Sequence, residues 1–245
     1  MSSRLAAGSS TGLLETAGAL PFRMDSVLRY RGIAPFGDVA RDPASKIGYT
    51  SMRGYYWSLL MGVRYPHESL LERDAMLLHD LDPTVRTMQA QPQTYLLRLD
   101  GRRVKYTPDL RVGFAGSTFV DLEIKRAERI AALTELRKEQ MRRACAGEGR
   151  LHAFLDEAGI YPEPLWGNSV SARASAAHLT DDALLDAGRA LLRTGLPTTT
   201  RELLLAMSGR TRLQSVLGLV ALRILTLPLA ADITAATIVS RGENW

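Results

Sequence analysis

Two turn signals constrain this chain more than anything else in it: Asp100-Gly101 and, a few residues on, "GFAGS" at 113–117. Both fall inside "TVRTMQAQPQTYLLRLDGRRVKYTPDLRVGFAGSTFVDLEIK", a run rich in Val, Thr, Tyr and Phe. Asp-Gly favours the φ > 0 backbone of tight hairpins, and a Gly-bearing loop closes a second one. The run therefore predicts three antiparallel strands, 93–99, 102–112 and 118–125. Before it, "PHESLLERDAMLLHDLD" starts at Pro66 and places Leu70, Leu71, Leu77, Leu78 and Leu81 at helical spacing. That predicts an amphipathic helix over 67–80. After it, 127–147 reads as a helix with Ile130, Leu133, Leu136 and Met141 on one side, and 150–156 reads as a strand. The predicted order is helix, three strands, helix, strand, an α/β domain.

The flanks are read differently. Residues 1–20 are rich in Ser, Gly and Ala and are expected to be mobile. Residues 21–54 are loop-rich, with "PFGD" and "DPAS" turn signals. "SVSARASAAH" at 169–178 has the composition of a linker. Helices are then expected at 181–194, 200–208 and 211–224, followed by a strand pair in "ILTLPLAADI". That succession, with Gly209 in the turn, outlines a winged helix-turn-helix; helical hairpins of this kind also serve as docking domains. The expected division is an N-terminal arm 1–50, a catalytic-type domain 51–170 and a winged-helix-like domain 178–245.

Charge sharpens the reading. The net charge is +5, but it is unevenly spread: residues 81–150 hold fourteen basic against nine acidic side chains, and the other segments roughly balance. An excess of cations favours polyanions such as DNA, although an Arg-rich solvated surface has the same composition. The single cysteine, Cys145, excludes an internal disulfide and fits a reducing cytoplasm. One Cys and four scattered His (67, 79, 152 and 178) draw no zinc site, and Trp166 reads as packing. No signal peptide is evident. "LQSVLGLVALRILTLPLAA" is interrupted by Arg223 and Pro228, so it reads as a buried helix and a strand, not a membrane span.

In "FVDLEIK" the side chains alternate. Val120, Leu122 and Ile124 face a core; Asp121, Glu123 and Lys125 face the other way, with Glu123 and Lys125 about 6.5–7 Å apart along the strand. Asp109 follows Pro108, fourteen residues before Glu123, at a distance that lets a hairpin set the two carboxylates side by side. Adjacent carboxylates repel unless a cation joins them. A hard ion such as Mg²⁺ is the usual resolution, and a lysine on the same face orients water or steadies charge at phosphorus. The same alternation also describes a strand made soluble on one face. Glu72, on the preceding helix, is a third candidate carboxylate.

Glu72, then Pro108-Asp109, then Glu123-x-Lys125 resembles the PD-(D/E)xK nuclease superfamily, whose core runs α-β-β-β-α-β. "ESLLERDAMLLHDLDPTVRTMQAQP", "RRVKYTPDLRV" and "VDLEIK" are similar to TnsA-type endonuclease subunits of heteromeric transposases, with specific wording over roughly 50–170 and only an outline over 178–245. The resemblance implies a restriction-endonuclease-like core followed by a small winged-helix-like domain. It implies Mg²⁺, with Mn²⁺ as substitute, held by Glu72, Asp109 and Glu123, and Lys125 as the catalytic lysine. Glu68, one turn earlier, is the alternative to Glu72. The Glu123 slot may hold Gln in the family, and the family often has Pro where this chain has Arg126. Gln91, in "QAQP", is a supporting residue, and Arg102, Arg103, Lys105, Arg111 and Arg126 are candidate DNA contacts. The implied activity is hydrolysis at the 5′ ends of a transposon, in the cytoplasm at the nucleoid. The implied partners are a TnsB-like DDE transposase and a TnsC-like AAA+ ATPase. A stand-alone restriction or repair nuclease, or a non-catalytic DNA-binding scaffold, is the alternative.

Overall fold

The computed structural model describes residues 36–41, 52–210 and 212–245. Most of the expected N-terminal arm, including residues 1–20, lies outside the described residues.

Among the described residues the chain forms a hairpin that its sequence did not lead one to expect, β1 (Gly54–Trp57) with β2 (Arg64–His67). Its second strand includes Pro66 and His67, so the helix expected from 67 starts later, as α1 (Leu70–Leu81). Ser69 sets that start: its side chain accepts the Glu72 N–H and satisfies an orphan donor of the first turn. Asp82 ends the helix and Pro83 prevents its continuation.

The central sheet has the order β3 (Val85–Ala90), β6 (Leu110–Phe114), β7 (Phe119–Ile124), β8 (Leu151–Leu155). β3, β6 and β7 run antiparallel; β8 lies parallel to β7. Two expectations are corrected here. The strand 93–99 is not in this sheet, and the single strand 102–112 is broken. Instead β4 (Tyr95–Leu99) and β5 (Arg102–Tyr106) pair with each other as a separate two-stranded ribbon. The breaks fall at Gln91-Pro92 and at Pro108. Proline donates no ladder hydrogen bond, so both strands of one long hairpin leave the sheet at the same level. Ala90 still pairs with Leu110, and beyond the bend Tyr95 pairs with Tyr106. The hairpin tip at Asp100 and Gly101 has φ of 49° and 75°, and Gly116 of the second loop also has φ 75°.

The crossover from β7 to β8 is two helices, α2 (Ala127–Ala131) and α3 (Glu135–Ala146), where one helix over 127–147 was expected. Thr134 interrupts the run by capping α3 through the Arg137 N–H. Met141 and Cys145 are buried, whereas Leu136 is exposed. They meet Tyr95, Leu97 and Tyr106 of the bent ribbon in a small core of their own. Ribbon and α3 therefore roof the second face of β7, and the strand predicted to be wet on one side is buried on both. The opposite face packs Met76 and Ala75 of α1 against Met88, Leu110, Val112, Leu122 and Ile124.

After α4 (Glu157–Ile160), the stretch expected to be a linker is helical, within α5 (Leu165–Ala177). Its small residues are a packing face: Ala172, Ser175 and Ala176 are buried. A Cβ added at Gly218 on the neighbouring helix α8 (Arg212–Ala221) would stand 3.2 Å from the Ser175 carbonyl oxygen. The Ser171 and Ser175 hydroxyls donate back to the carbonyls four residues earlier, so neither hydroxyl is stranded by the close approach. α6 (Asp181–Thr194) and α7 (Thr200–Ala206) follow, with the short strands β9 (Thr198–Thr199), β10 (Leu225–Thr226) and β11 (Ile238–Arg241) in the order β10-β11-β9. The strand pair expected within "ILTLPLAADI" is thus made by β10 with the later β11.

α8 ends at Ala221, three residues before the expected 224. Its residues 215–221 are all buried, so it is the core of this unit, and only its first turn, Arg212 to Gln214, is exposed. Arg223, just past it, donates to the carbonyls of Asp82 and Val85 and pairs with Glu243 at 3.2 Å, tying the unit to the turn between α1 and β3. Trp166 packs edge-on against Tyr161. No helix among the described residues is long and apolar enough to cross a membrane.

Candidate active site

Asp109 sits where the ribbon bends away from the sheet. Its N–H donates to the Leu122 carbonyl and its Oδ2 accepts the Ile124 N–H at 2.8 Å, so backbone on both sides fixes the side chain against β7. Glu123 extends from β7 toward the same point. Lys125 makes an ion pair with Glu123 Oε1 and lies 3.6 Å from Asp109 Oδ2. Both carboxylates are 5% exposed. The structure thus joins Asp109, Glu123 and Lys125 in one cluster at the floor of a cavity of about 500 Å³.

Asp121, on the same face of β7, has a different task. It is fully buried and accepts from Arg111 Nε at 2.6 Å and from the Tyr95 hydroxyl at 2.7 Å. Arg111, expected as a DNA contact, has its guanidinium engaged by Asp121 and Tyr95 beneath the ribbon, with its side chain 12% exposed. Arg102, Arg103 and Lys105 are exposed on β5, and of the three Lys105 lines the cavity. Arg126 is exposed at the start of α2.

Glu72 stands third in α1. One of its oxygens accepts the Glu68 N–H at 2.8 Å and the other accepts the Ser69 hydroxyl at 3.0 Å. It therefore closes the helix end and borders the cluster, with the charge of Asp109 acting on it. Glu68 lines the cavity directly and pairs with Arg41 at 2.9 Å.

Electrostatics mark the cluster as short of positive charge. Burial, then the charge of Asp109, pushes the Glu72 carboxyl up to about 8 and the Glu123 carboxyl up to about 7. Burial also raises Asp109, against the opposing pull of Lys125. Burial disfavours the Lys125 ammonium, yet Asp109 and Glu123 hold it above its ordinary value. Glu123 Oε2 is buried with no hydrogen-bond partner among the described residues. Among the described residues, no three His, Cys, Asp or Glu side chains are gathered as a ready metal-binding group. The pair Asp109 and Glu123, with that orphaned oxygen, nevertheless fits a hard cation: it supplies oxygen donors and unbalanced negative charge.

A stability prediction follows from the raised carboxyls. The folded chain holds protons on Glu72 and Glu123 that the unfolded chain, with carboxyls near 4.5, has already lost. Their contribution is complete below the unfolded value and disappears as pH rises through the folded one. The Tm of the metal-free protein should fall between about pH 5 and about pH 8, and Glu72→Gln or Glu123→Gln should flatten the fall. A wild-type Tm independent of pH across that window would contradict the arrangement.

Two neighbours support Asp109. Gln91 is fully buried at φ 45°, its amide donates to Asp109 Oδ1 at 3.4 Å, and its own N–H donates to the Asp109 carbonyl. Its Oε1 accepts from Arg41 Nη2 at 2.9 Å, which completes a chain Glu68–Arg41–Gln91–Asp109. Gln91 was legible in the sequence; Arg41, fifty residues away in an irregular segment, carried no signal. Tyr106 also lines the cavity, and its hydroxyl meets His152 Nε2 at 2.9 Å. Its position just before "TPD" could have pointed to it. Gln91→Ala should weaken the binding of a divalent cation, followed by calorimetry, about 10–100-fold, the usual cost of losing a residue that orients a ligand side chain. Unchanged affinity would reduce Gln91 to a backbone role.

No family model and no curated protein matches this sequence.

Proposed function

We propose that this chain is a divalent-metal-dependent DNA endonuclease of the PD-(D/E)xK type, acting as a TnsA-like subunit of a cut-and-paste transposase. One observation carries the reading: Asp109, Glu123 and Lys125 converge at the bend of the ribbon, with a buried carboxylate oxygen left unpaired. The order α1, β3, β6, β7, α3, β8, with the ribbon as an insertion, supports it. So does the unit after α5, three helices and three short strands, which we read as winged-helix-like in topology.

Asp109 and Glu123 would hold the cation directly, with Glu72 at its border to take a second ion or an aquo ligand. A bound Mg²⁺, or Mn²⁺ in its place, neutralises the carboxylate pair and supplies Lewis acidity at the phosphate. Lys125 orients the attacking water and steadies charge that grows on the phosphoryl oxygens. Water adds to phosphorus in line, the bond to the 3′ oxygen breaks, and that oxygen takes a proton. The products are a 5′-phosphate and a 3′-hydroxyl. The chain would nick the 5′ ends of the transposon at the nucleoid, while a TnsB-like transposase cuts the 3′ ends. A TnsC-like ATPase would dock on the C-terminal unit.

The test is reconstitution with both partners on transposon-end DNA. The expected result is a Mg²⁺-dependent nick at each 5′ end. Intact 5′ ends in a complex that still cuts the 3′ ends would remove the reading. Strong cleavage by the purified chain alone would favour a stand-alone nuclease.

A further inference from the structure

α3 carries a dense set of cations, and all but one of those on its sequence "RKEQMRR" have a carboxylate partner within the helix. Lys138 pairs with Glu135 at 2.8 Å, and Arg142 and Arg143 both pair with Glu139. Arg137 differs. It lines the same cavity as Asp109, Glu123 and Lys125, and its Nε is buried with no hydrogen-bond partner among the described residues. Its place is also unfavourable for the helix, because it lies in the first turn, where the macrodipole prefers an acid. Neither helix stability nor an ion pair among the described residues accounts for it.

The other cations of the cavity are engaged or exposed. Arg41 is held by Gln91 and Glu68, Lys125 by the two carboxylates, and Lys105 is exposed on β5. A guanidinium presents parallel N–H donors that match two oxygens of one phosphate, whereas an ammonium presents a point charge. We infer that Arg137 clamps a DNA phosphodiester across the cavity from the carboxylates, using both non-bridging oxygens, and so positions the backbone over Lys125. This rests on the nuclease reading and adds to it a substrate contact on the roof helix.

Fluorescence anisotropy with a short labelled DNA duplex in Ca²⁺ tests it on the full chain without cleavage. Arg137→Ala should weaken binding about tenfold and reduce the log–log salt slope by about 1. Arg137→Lys should keep the slope, since the charge remains, but not the full affinity. Arg137→Gln, which keeps most of the packing, should behave as the alanine variant and melt as the wild type does. Arg143→Ala, exposed and already paired with Glu139, should bind nearly as wild type. Equal affinity and slope in wild type and Arg137→Ala would overturn the clamp while leaving the nuclease reading intact. An equal loss in Arg143→Ala would also overturn it, since the effect would then be general charge. A wild-type chain that binds no duplex would also overturn the clamp, while the nuclease reading would still stand or fall on cleavage by the reconstituted complex.

Discussion

Asp109→Asn should abolish 5′-end nicking, with a loss on the order of 10³-fold or more, because it removes a central charge of the site while keeping its shape. An asparagine in place of Asp109 can still accept the Ile124 N–H through its amide oxygen, so the bend of the ribbon should persist. What disappears is one of two buried charges that face each other. The variant should therefore separate fold from chemistry. Its Tm near pH 8 should equal or exceed that of the metal-free wild type, because a buried carboxylate no longer has to ionise there. Divalent ions should raise the wild-type Tm and leave the variant's nearly unchanged. Nicking at the wild-type rate, measured in the reconstituted complex, would eliminate Asp109 from the site.

Lys125→Ala should cost on the order of 10²–10³-fold in nicking, the range for losing one group aimed at developing charge. Here the structural consequence has the opposite sign. Lys125 is the cation that faces both Asp109 and Glu123, so removing it leaves two buried carboxylates uncompensated. The metal-free variant should melt below the wild type at pH 8, and much of the deficit should vanish at pH 5, below the raised value of Glu123, where that carboxyl takes up a proton. Lys125→Arg should restore most of the stability and little of the activity, because a planar fork replaces a compact point charge. A fully active Lys125→Ala protein would exclude the lysine from the chemistry.

Much of this site was legible in the sequence. The alternation in "FVDLEIK" put Glu123 and Lys125 on one face, and Pro108 placed Asp109 beside them. The less legible parts have identifiable causes. β3 was missed because Gln91-Pro92 ends it early, and the stronger β signal of "TYLLRL" lies beyond that break. The buried second face of β7 could not be read locally, because its roof comes from a ribbon and a helix elsewhere in the chain. Arg111 looks like a DNA contact until Asp121, paired with it across the two strands, is seen to claim it. α5 was mistaken for a linker because Ser and Ala serve close helix packing as well as flexible chain, and composition does not distinguish the two. Arg137 was hidden among arginines of the same helix, and only their partners set it apart.

The bent ribbon also divides its residues by how freely their number can change. Between Ala90 and Tyr95, and between Tyr106 and Leu110, the count of residues fixes where Asp109 points, since one residue more or less turns the side chain to the opposite side. At the tip the constraint lifts: nothing lies within 4 Å of the place where a Gly101 side chain would begin. Lengthening the chain there costs little loop entropy. The Asp100–Gly101 tip is thus the natural point for grafting a tag or a fluorophore onto this protein, and for length variation to accumulate among any relatives, with the geometry of the bend preserved.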